Sequence, residues 1–180
     1  MIYLLPFAGL LVVYLYFQFG RSVERGNNLL IEEIHEPKAV IPFRMVPLIF
    51  AGTVITHLFG GSAGREGTAV QMAGALSDQW AHLFKKLRLD RQQLLMMGMS
   101  AGFASVFGTP LAGAVFGVEV LAIGRIRYNS LLPCLFSAVI AHFVCLSWGI
   151  QHTTYAIGIV PELSISTLSW AFAAGILFGL

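Results

Sequence analysis

The stretch QQLLMMGMSAGFASVFGTPLAGAVFGVEVLAIG, residues 92–124, decides the fold of this chain. It is about 33 residues of mostly apolar sequence, interrupted by Phe107-Gly108-Thr109-Pro110. A membrane-spanning helix needs about 20 residues, so the stretch is too long for one straight span and too short for two with a loop. Proline suits the first turn of a second helix, with Gly108 ending the first. We therefore predict two short helices that meet inside a membrane, which is tolerated where they line a protein-filled or watery cavity.

The composition of the whole chain agrees with a membrane environment. Hydrophobic residues make up 57% of the 180 residues and charged residues 11%, against about 45–50% and about 25% in soluble chains. The mean hydropathy is +0.77. A soluble domain of this size could not bury so much apolar surface. The chain is therefore predicted to be an all-α, polytopic integral membrane protein that contacts the lipid bilayer.

Charge and cysteine content exclude other classes of protein. The 11 Lys and Arg against 9 Asp and Glu give a net charge of +2, which is too little for binding to nucleic acid. Cys134 and Cys145 lie in one apolar run at a separation of about 16 Å along a helix, so we expect no disulfide between them. The histidines lack the spacing of metal ligands. We expect neither a metal nor a cofactor.

Further apolar segments are predicted as membrane helices, over 2–19, 46–59, 68–84, 128–148 and 165–180. Segment 68–84 carries Gln71, Asp78 and His82, so it should pack among other helices. Its first half also has a small residue at every fourth position, namely Ala69, Ala73 and Ser77. This spacing predicts a face for close helix packing.

Loop charge predicts the orientation. Lys and Arg concentrate in 85–91 and 125–127, whereas 149–163 has none. The positive-inside tendency places the first two loops in the cytoplasm and the third outside, and we expect a multi-pass protein of a bacterial plasma membrane. The run 168–180 stays apolar to the last residue, so 1–180 is interpreted as one incomplete transmembrane domain.

The run Gly60-Gly61-Ser62-Ala63-Gly64-Arg65-Glu66-Gly67-Thr68 comes immediately before the predicted helix 68–84. Ionisable residues inside a membrane are functional candidates. A carboxylate at a helix N-terminus occupies the place that an anionic ligand prefers, so Glu66 is predicted to compete with an anion until it is protonated. The alternative, equally supported by the spacing, is a structural ion pair with Arg65.

The first five residues of this run also fit G-x-S-x-G, the nucleophile elbow of serine hydrolases. That motif needs a strand, a sharp turn and a helix in a soluble sheet, which this chain cannot build. Nothing in the sequence brings His57 or His82 together with Asp78 as partners of a serine. We therefore predict that the protein is not an enzyme.

Two more clusters leave alternatives open. Gly26-Asn27-Asn28 begins either a helix whose free N–H groups form an anion site or a capped surface turn, and the residues by themselves favour the turn. Glu119, near the end of the second short helix, is either a proton site or a carboxylate that reaches Arg125 or Arg127. The second alternative is favoured.

These motifs resemble the voltage-gated chloride channel (CLC) family of anion channels and anion/proton antiporters. The segment 64–71, GREGTAVQ, matches the family's G-R-E-G-P segment and the V-Q that follows it. Segment 26–30, GNNLL, stands in place of G-S-G-I-P, and 101–119 resembles the next two helices. The resemblance covers about 26–128. It implies a fold of two inverted repeats, with 1–163 as the first and 164–180 beginning the second, in a homodimer with one pore per subunit.

The resemblance also implies roles for single residues. Glu66 would be the gate carboxylate that blocks the outer anion site and takes a proton. Asn27 matches the serine that contacts the central anion, and Gly67 would supply an outer backbone amide. The anion-binding residues implied in this way are Gly26, Asn27, Asn28, Gly64, Arg65 and Gly67.

The departures from the family pattern indicate a branch. Asn27 and Asn28 replace Ser-Gly, Leu30 replaces a proline, and Thr68 replaces the proline after the gate, which resembles the bacterial branch that exchanges fluoride for protons. Val120 matches the inner proton-relay glutamate of chloride antiporters and Glu119 its neighbouring acid, so the two mark a candidate inner site.

We therefore expect transport of a halide anion and protons, with fluoride/proton exchange favoured over chloride/proton exchange. A passive chloride channel is one alternative. The other, for the 180-residue chain by itself, is a non-conducting membrane fragment or interaction subunit.

Overall fold

The computed structural model describes residues 2–84, 90–119, 127–152, 158, 160 and 162–179. Within these ranges every regular element is helical, as predicted. The α-helices are α1 (Leu5–Leu15), α2 (Asn27–His35), α3 (Met45–Leu58), α4 (Glu66–Leu83), α5 (Arg91–Phe107), α6 (Pro110–Glu119), α7 (Leu131–Ser147) and α8 (Ile165–Gly179). Short 3₁₀ turns precede α1 and α7, and a π-helical turn, Tyr16–Gly20, continues α1.

The predicted break between two short helices is confirmed at α5 and α6. Gly108 follows α5 with φ +70°, a left-handed conformation that glycine adopts without strain. Its N–H donates to the carbonyl of Ala104 at 2.9 Å, and α6 begins at Pro110. At the other end of α5, the Asp90 side chain caps the helix by accepting from the N–H of Gln92 at 3.0 Å.

The small-residue face of α4 packs closely on α5, as predicted. A Cβ added at Gly98 would lie 2.8 Å from the carbonyl oxygen of Ala73, and one added at Gly102 would lie 2.6 Å from that of Ala69. Backbones at this distance leave no room for a larger side chain on α5. Ser77 completes the face by donating its hydroxyl to the carbonyl of Leu94.

Helices α6 and α7 cover another side of α5. Gly113 and Gly117 of α6 lie against Ser100 of α5, and Ser137 of α7 donates to the carbonyl of Met97 at 2.9 Å. The buried core joins residues of the six helices from α2 to α7, among them Leu30, Met45, Ile49, Val70, Ala75, Leu95, Met96, Met99, Ala114, Val118 and Cys134. Cys134 and Cys145 are both free.

One helix in the described ranges is long and apolar enough to cross a membrane, Tyr128–Ser147, with 20 residues and a mean hydropathy of 2.0. The other apolar helices are shorter, namely Leu5–Gly20, Met45–Leu58, Pro110–Glu119 and Ile165–Gly179. In the segment predicted as a membrane helix over 2–19, the apolar helix Leu5–Gly20 is below the usual spanning length. Large apolar side chains such as Phe136 and Phe172 are more than half exposed, so α7 and α8 present apolar outer faces.

Candidate functional site

The N-terminus of α2 is the first part of the site. The structure forms the helix here, so the favoured surface turn was wrong. Gly26 precedes the helix at φ +55° and ψ −125°, and no side chain caps it. Leu30 and Ile34 are buried, and burial of this apolar face stabilises a helix that the polar residues alone do not specify. The N–H of Asn27 has no hydrogen-bond partner within the described ranges.

The N-terminus of α4 is the second part. Glu66 is its first residue, and Arg65 precedes it without a side-chain cap. Ala69 donates its N–H to the carbonyl of Arg65 at 3.1 Å. The N–H groups of Glu66, Gly67 and Thr68 have no partner in the part of the chain that the structure describes. Free N–H groups and the positive end of the helix dipole make such a terminus attractive to negative charge.

The two N-termini meet each other. A Cβ added at Gly67 would lie 3.5 Å from Nδ2 of Asn27, and one added at Gly26 would lie 3.3 Å from both polar atoms of the Gln71 amide. A side chain at Gly26 would also be strained by its positive φ. The structure therefore brings together Gly26, Asn27 and Gly67 of the predicted set. It adds Gln71, which lies one turn after Gly67 on the same face of α4.

Glu66 lies over the beginning of its own helix. Its carboxylate folds back so that a Cβ added at Gly64 would collide with it. The side chain is exposed, and no ion pair or hydrogen bond holds it among the described residues. The Arg65–Glu66 ion pair, one of the two predicted alternatives, is not formed. Glu66 is thus a free carboxylate beside unpartnered N–H groups.

The other predicted site residues do not take part in the contact between the N-termini of α2 and α4. The Asn28 side chain is exposed, and Arg65 lines a groove of about 810 Å³ between α3, α4 and α5. Thr68, at the position of the family's proline, shares a hydrogen bond of 2.8 Å with the hydroxyl of Thr53. This bond ties the first turn of α4 to α3.

The predicted inner site is only partly described. Glu119 is exposed at the last residue of α6, a helix that packs on α5 and α7. Of the two arginines predicted as partners of Glu119, Arg127 forms no ion pair with it and donates to Asp90 at 3.2 Å and to Gln92 at 2.5 Å. Val120 and Arg125 lie outside the described residues.

Comparison with known proteins identifies the family. The family model described as "Voltage gated chloride channel" matches residues 8–180. The chain belongs to the voltage-gated chloride channel family. It is therefore an integral membrane protein with part of the CLC fold, and transport of anions is the activity of the family.

Individual CLC relatives match nearly the whole of this chain. The chain is 57% identical to the "Chloride/fluoride channel protein" of Pseudomonas syringae pv. tomato over 99% of its own length and 40% of that relative. It is 29% identical to the H(+)/Cl(−) exchange transporter ClcA of Cronobacter sakazakii, over 96% of its length and 38% of that relative. A crystal structure of a CLC-type fluoride/proton antiporter matches 99% of the chain with a TM-score of 0.87 and 35% identity, and 45% of that chain is covered. The chain thus spans less than half the length of these relatives.

Proposed function

We propose that this chain is the first inverted repeat of a CLC transporter that exports fluoride in exchange for protons, with Glu66 as its gate. On this proposal residues 1–163 form the first repeat, 164–180 begin the second, and two full-length subunits assemble in a bacterial plasma membrane. The observation that carries the proposal is the meeting of two helix N-termini, α2 and α4, beside the free carboxylate of Glu66.

The arrangement can hold an anion and a gate in competition. The free N–H groups of α4 and the amide of Asn27 offer hydrogen bonds and positive potential to a negative ligand. The charged carboxylate of Glu66 competes for the same donors, and when it turns onto them it excludes the anion. A proton on Glu66 removes its charge and leaves the donors to the anion. One group then links the movement of the anion to that of the proton.

The choice of fluoride over chloride rests on the side chain at position 27. A small, strongly hydrated anion gives up its water only where hydrogen-bond donors replace that water. The amide of Asn27 provides two N–H donors, whereas a serine hydroxyl provides one. Two of the proteins that the chain resembles are described as a chloride/fluoride channel and a fluoride/proton antiporter, which supports this choice.

Ion efflux from liposomes tests the proposal. The protein to use is the two-repeat protein, meaning this chain continued by a second repeat, either from its own gene or from the Pseudomonas syringae relative. We expect fluoride efflux to exceed chloride efflux and to be accompanied by proton uptake. Equal rates for the two anions refute fluoride selectivity, and fluoride flux without proton movement indicates a passive channel.

Glu66→Gln tests the gate in the same liposomes. The amide mimics a permanently protonated carboxyl, so we expect proton uptake to fall at least tenfold while the protein stays folded. Glu24→Gln is the matched control, because Glu24 is an exposed glutamate outside the α2–α4 site, and its flux should equal that of the wild type. Proton-coupled flux in Glu66→Gln at the wild-type rate would refute the gate.

The share of its relatives' length that this chain matches supports a second candidate function, which applies to residues 1–180 by themselves. At 38–45% of the length of the matched proteins, the chain offers only one side of a pore built from two repeats. We propose that residues 1–180 alone are a non-conducting membrane protein or interaction subunit. Flux from liposomes that hold only these residues would contradict this candidate.

A further inference from the structure

An ion cluster of Glu33, Asp78 and Arg91 lies at the C-terminal end of α2 and beside the second half of α4, away from the anion site at the two N-termini. The Arg91 guanidinium donates to Asp78 through Nε at 2.5 Å and through Nη2 at 2.9 Å. It also donates to Glu33 through Nη1 at 3.0 Å. Glu33 belongs to α2, Asp78 to α4, and Arg91 begins α5. One side chain therefore joins three helices.

The two carboxylates of the cluster are buried and hydrogen-bonded, and the Arg91 side chain that joins them is 25% exposed. Asp78 is 0% exposed and also accepts from the N–H of Ile41 at 2.7 Å. Glu33 accepts from the backbone N–H of Ala39 at 3.1 Å, and Arg91 donates to the carbonyl of the same residue at 2.7 Å. Buried charges with all partners in place are costly to separate, because each would be left without compensation. The cluster is therefore a rigid connection between α2 and α4.

Two apolar or neutral contacts continue this connection toward the anion site. Leu30 of α2 fills the space beside Gly74 of α4, where an added Cβ would collide with it. One turn further along, Gly26 lies against Gln71. Gly26 thus lies against Gln71 and Leu30 against Gly74, while Arg91 joins Glu33 to Asp78. On each helix these residues follow one face. The register of α2 on α4 is set at three levels.

From this register we propose that Arg91 is a positioning residue for the anion site. By holding Glu33 and Asp78 together, it fixes the gap between the N-termini of α2 and α4, and so the distance between Asn27 and Gly67. The inference rests on the proposed function, since it concerns the affinity of that same site. Helix α2 is only nine residues long, about 13 Å, so a shift at its C-terminal end moves its N-terminus as a rigid body.

Arg91→Lys is the test variant. Lysine keeps the charge but has a single ammonium group in place of the planar fork, so it cannot hold both carboxylates and the carbonyl of Ala39 in one geometry. In fluoride efflux from liposomes with the two-repeat protein, we expect the half-saturating fluoride concentration to rise roughly 3- to 10-fold, as for residues coupled in one network. The maximal rate per folded protein should stay within about twofold of the wild type.

Arg44→Lys is the matched control. Arg44 is an exposed arginine immediately before α3, and it forms no ion pair within the described ranges. We expect its half-saturating concentration to equal that of the wild type. If Arg91→Lys aggregates, Asp78→Asn replaces it, because the amide keeps the size of the side chain and loses the charge that Arg91 pairs with.

A double-mutant cycle with Asn27→Ser separates positioning from general loosening of the fold. If Arg91 acts by placing the amide of Asn27, its effect on half-saturation should shrink to less than about twofold once that amide is absent. An unchanged half-saturation in Arg91→Lys, or an effect of full size in the Asn27→Ser background, overturns the inference while the proposed function stands. A wild type that transports neither fluoride nor chloride refutes the proposed function and the inference together.

Discussion

Replacing Gly102 by alanine tests the close packing of α4 on α5. Gly102 is buried in the middle of α5. The added Cβ would lie 2.6 Å from the carbonyl oxygen of Ala69, 2.9 Å from its carbonyl carbon and 2.8 Å from Cβ of Ala73. Two of these three atoms are backbone atoms of α4, which cannot rotate away. The helices must therefore separate to admit one methyl group.

The expected magnitude follows from a comparison with Gly9→Ala. Gly9 is also a helix glycine, but a Cβ there would have nothing within 4 Å. The gain in helix propensity from glycine to alanine, about 1 kcal/mol, applies to both variants and cancels in their difference. Overpacking costs about 1–3 kcal/mol, and the backbone contacts at Gly102 place it at about 2–3 kcal/mol. For a chain of this size that is a difference in Tm of roughly 4–12 °C.

Thermal unfolding of the two variants in detergent, followed by intrinsic tryptophan fluorescence, measures this difference. Gly102→Ala should unfold at a lower temperature than the wild type, and Gly9→Ala at the same or a slightly higher temperature. Equal unfolding temperatures for the two variants would refute the close approach of α4 and α5. They would also remove the basis for placing Ala69 and Ala73 in that contact.

Two further substitutions test local features of the helix ends. Thr68→Pro should fold with a Tm within about 3 °C of the wild type despite the loss of its bond to Thr53, because the N–H that proline lacks has no helical partner there. Ala69→Pro, one position later, removes a helical hydrogen bond and should lower the free energy of unfolding by about 3 kcal/mol. Equal Tm values for the two proline variants would contradict the start of α4 at Glu66. Asp90→Ala should destabilise α5 by about 1 kcal/mol through loss of its cap on Gln92, measured by thermal unfolding. Asp90→Asn keeps a capping oxygen and should destabilise the protein by less than half as much. A greater destabilisation by Asp90→Asn than by Asp90→Ala would contradict the cap.

Much of the fold could be predicted because it depends on local chemistry. Proline and glycine at 107–110 break the helix wherever the segment lies, and the structure places the break there. The spacing of Ala69, Ala73 and Ser77 defines one face of α4, whatever packs on it. The start of α2 could not be predicted in this way, because its glycine and asparagine residues are also common in turns. Burial of Leu30 against Gly74 decides for the helix, and that contact joins distant parts of the chain.

The sequence by itself determined the class of the protein, the helix break and the types of residue at the site, including the carboxylate of Glu66. Only the tertiary structure decided which of these residues meet. Gln71 belongs to the V-Q pair of the family motif, but nothing in the sequence indicated that Gly26 lies against it. Arg91 and Glu33 are 58 residues apart. Their contact depends on the register between α2, α4 and α5, and a period of 3.6 residues tells which face of a helix is buried but not which helix covers it.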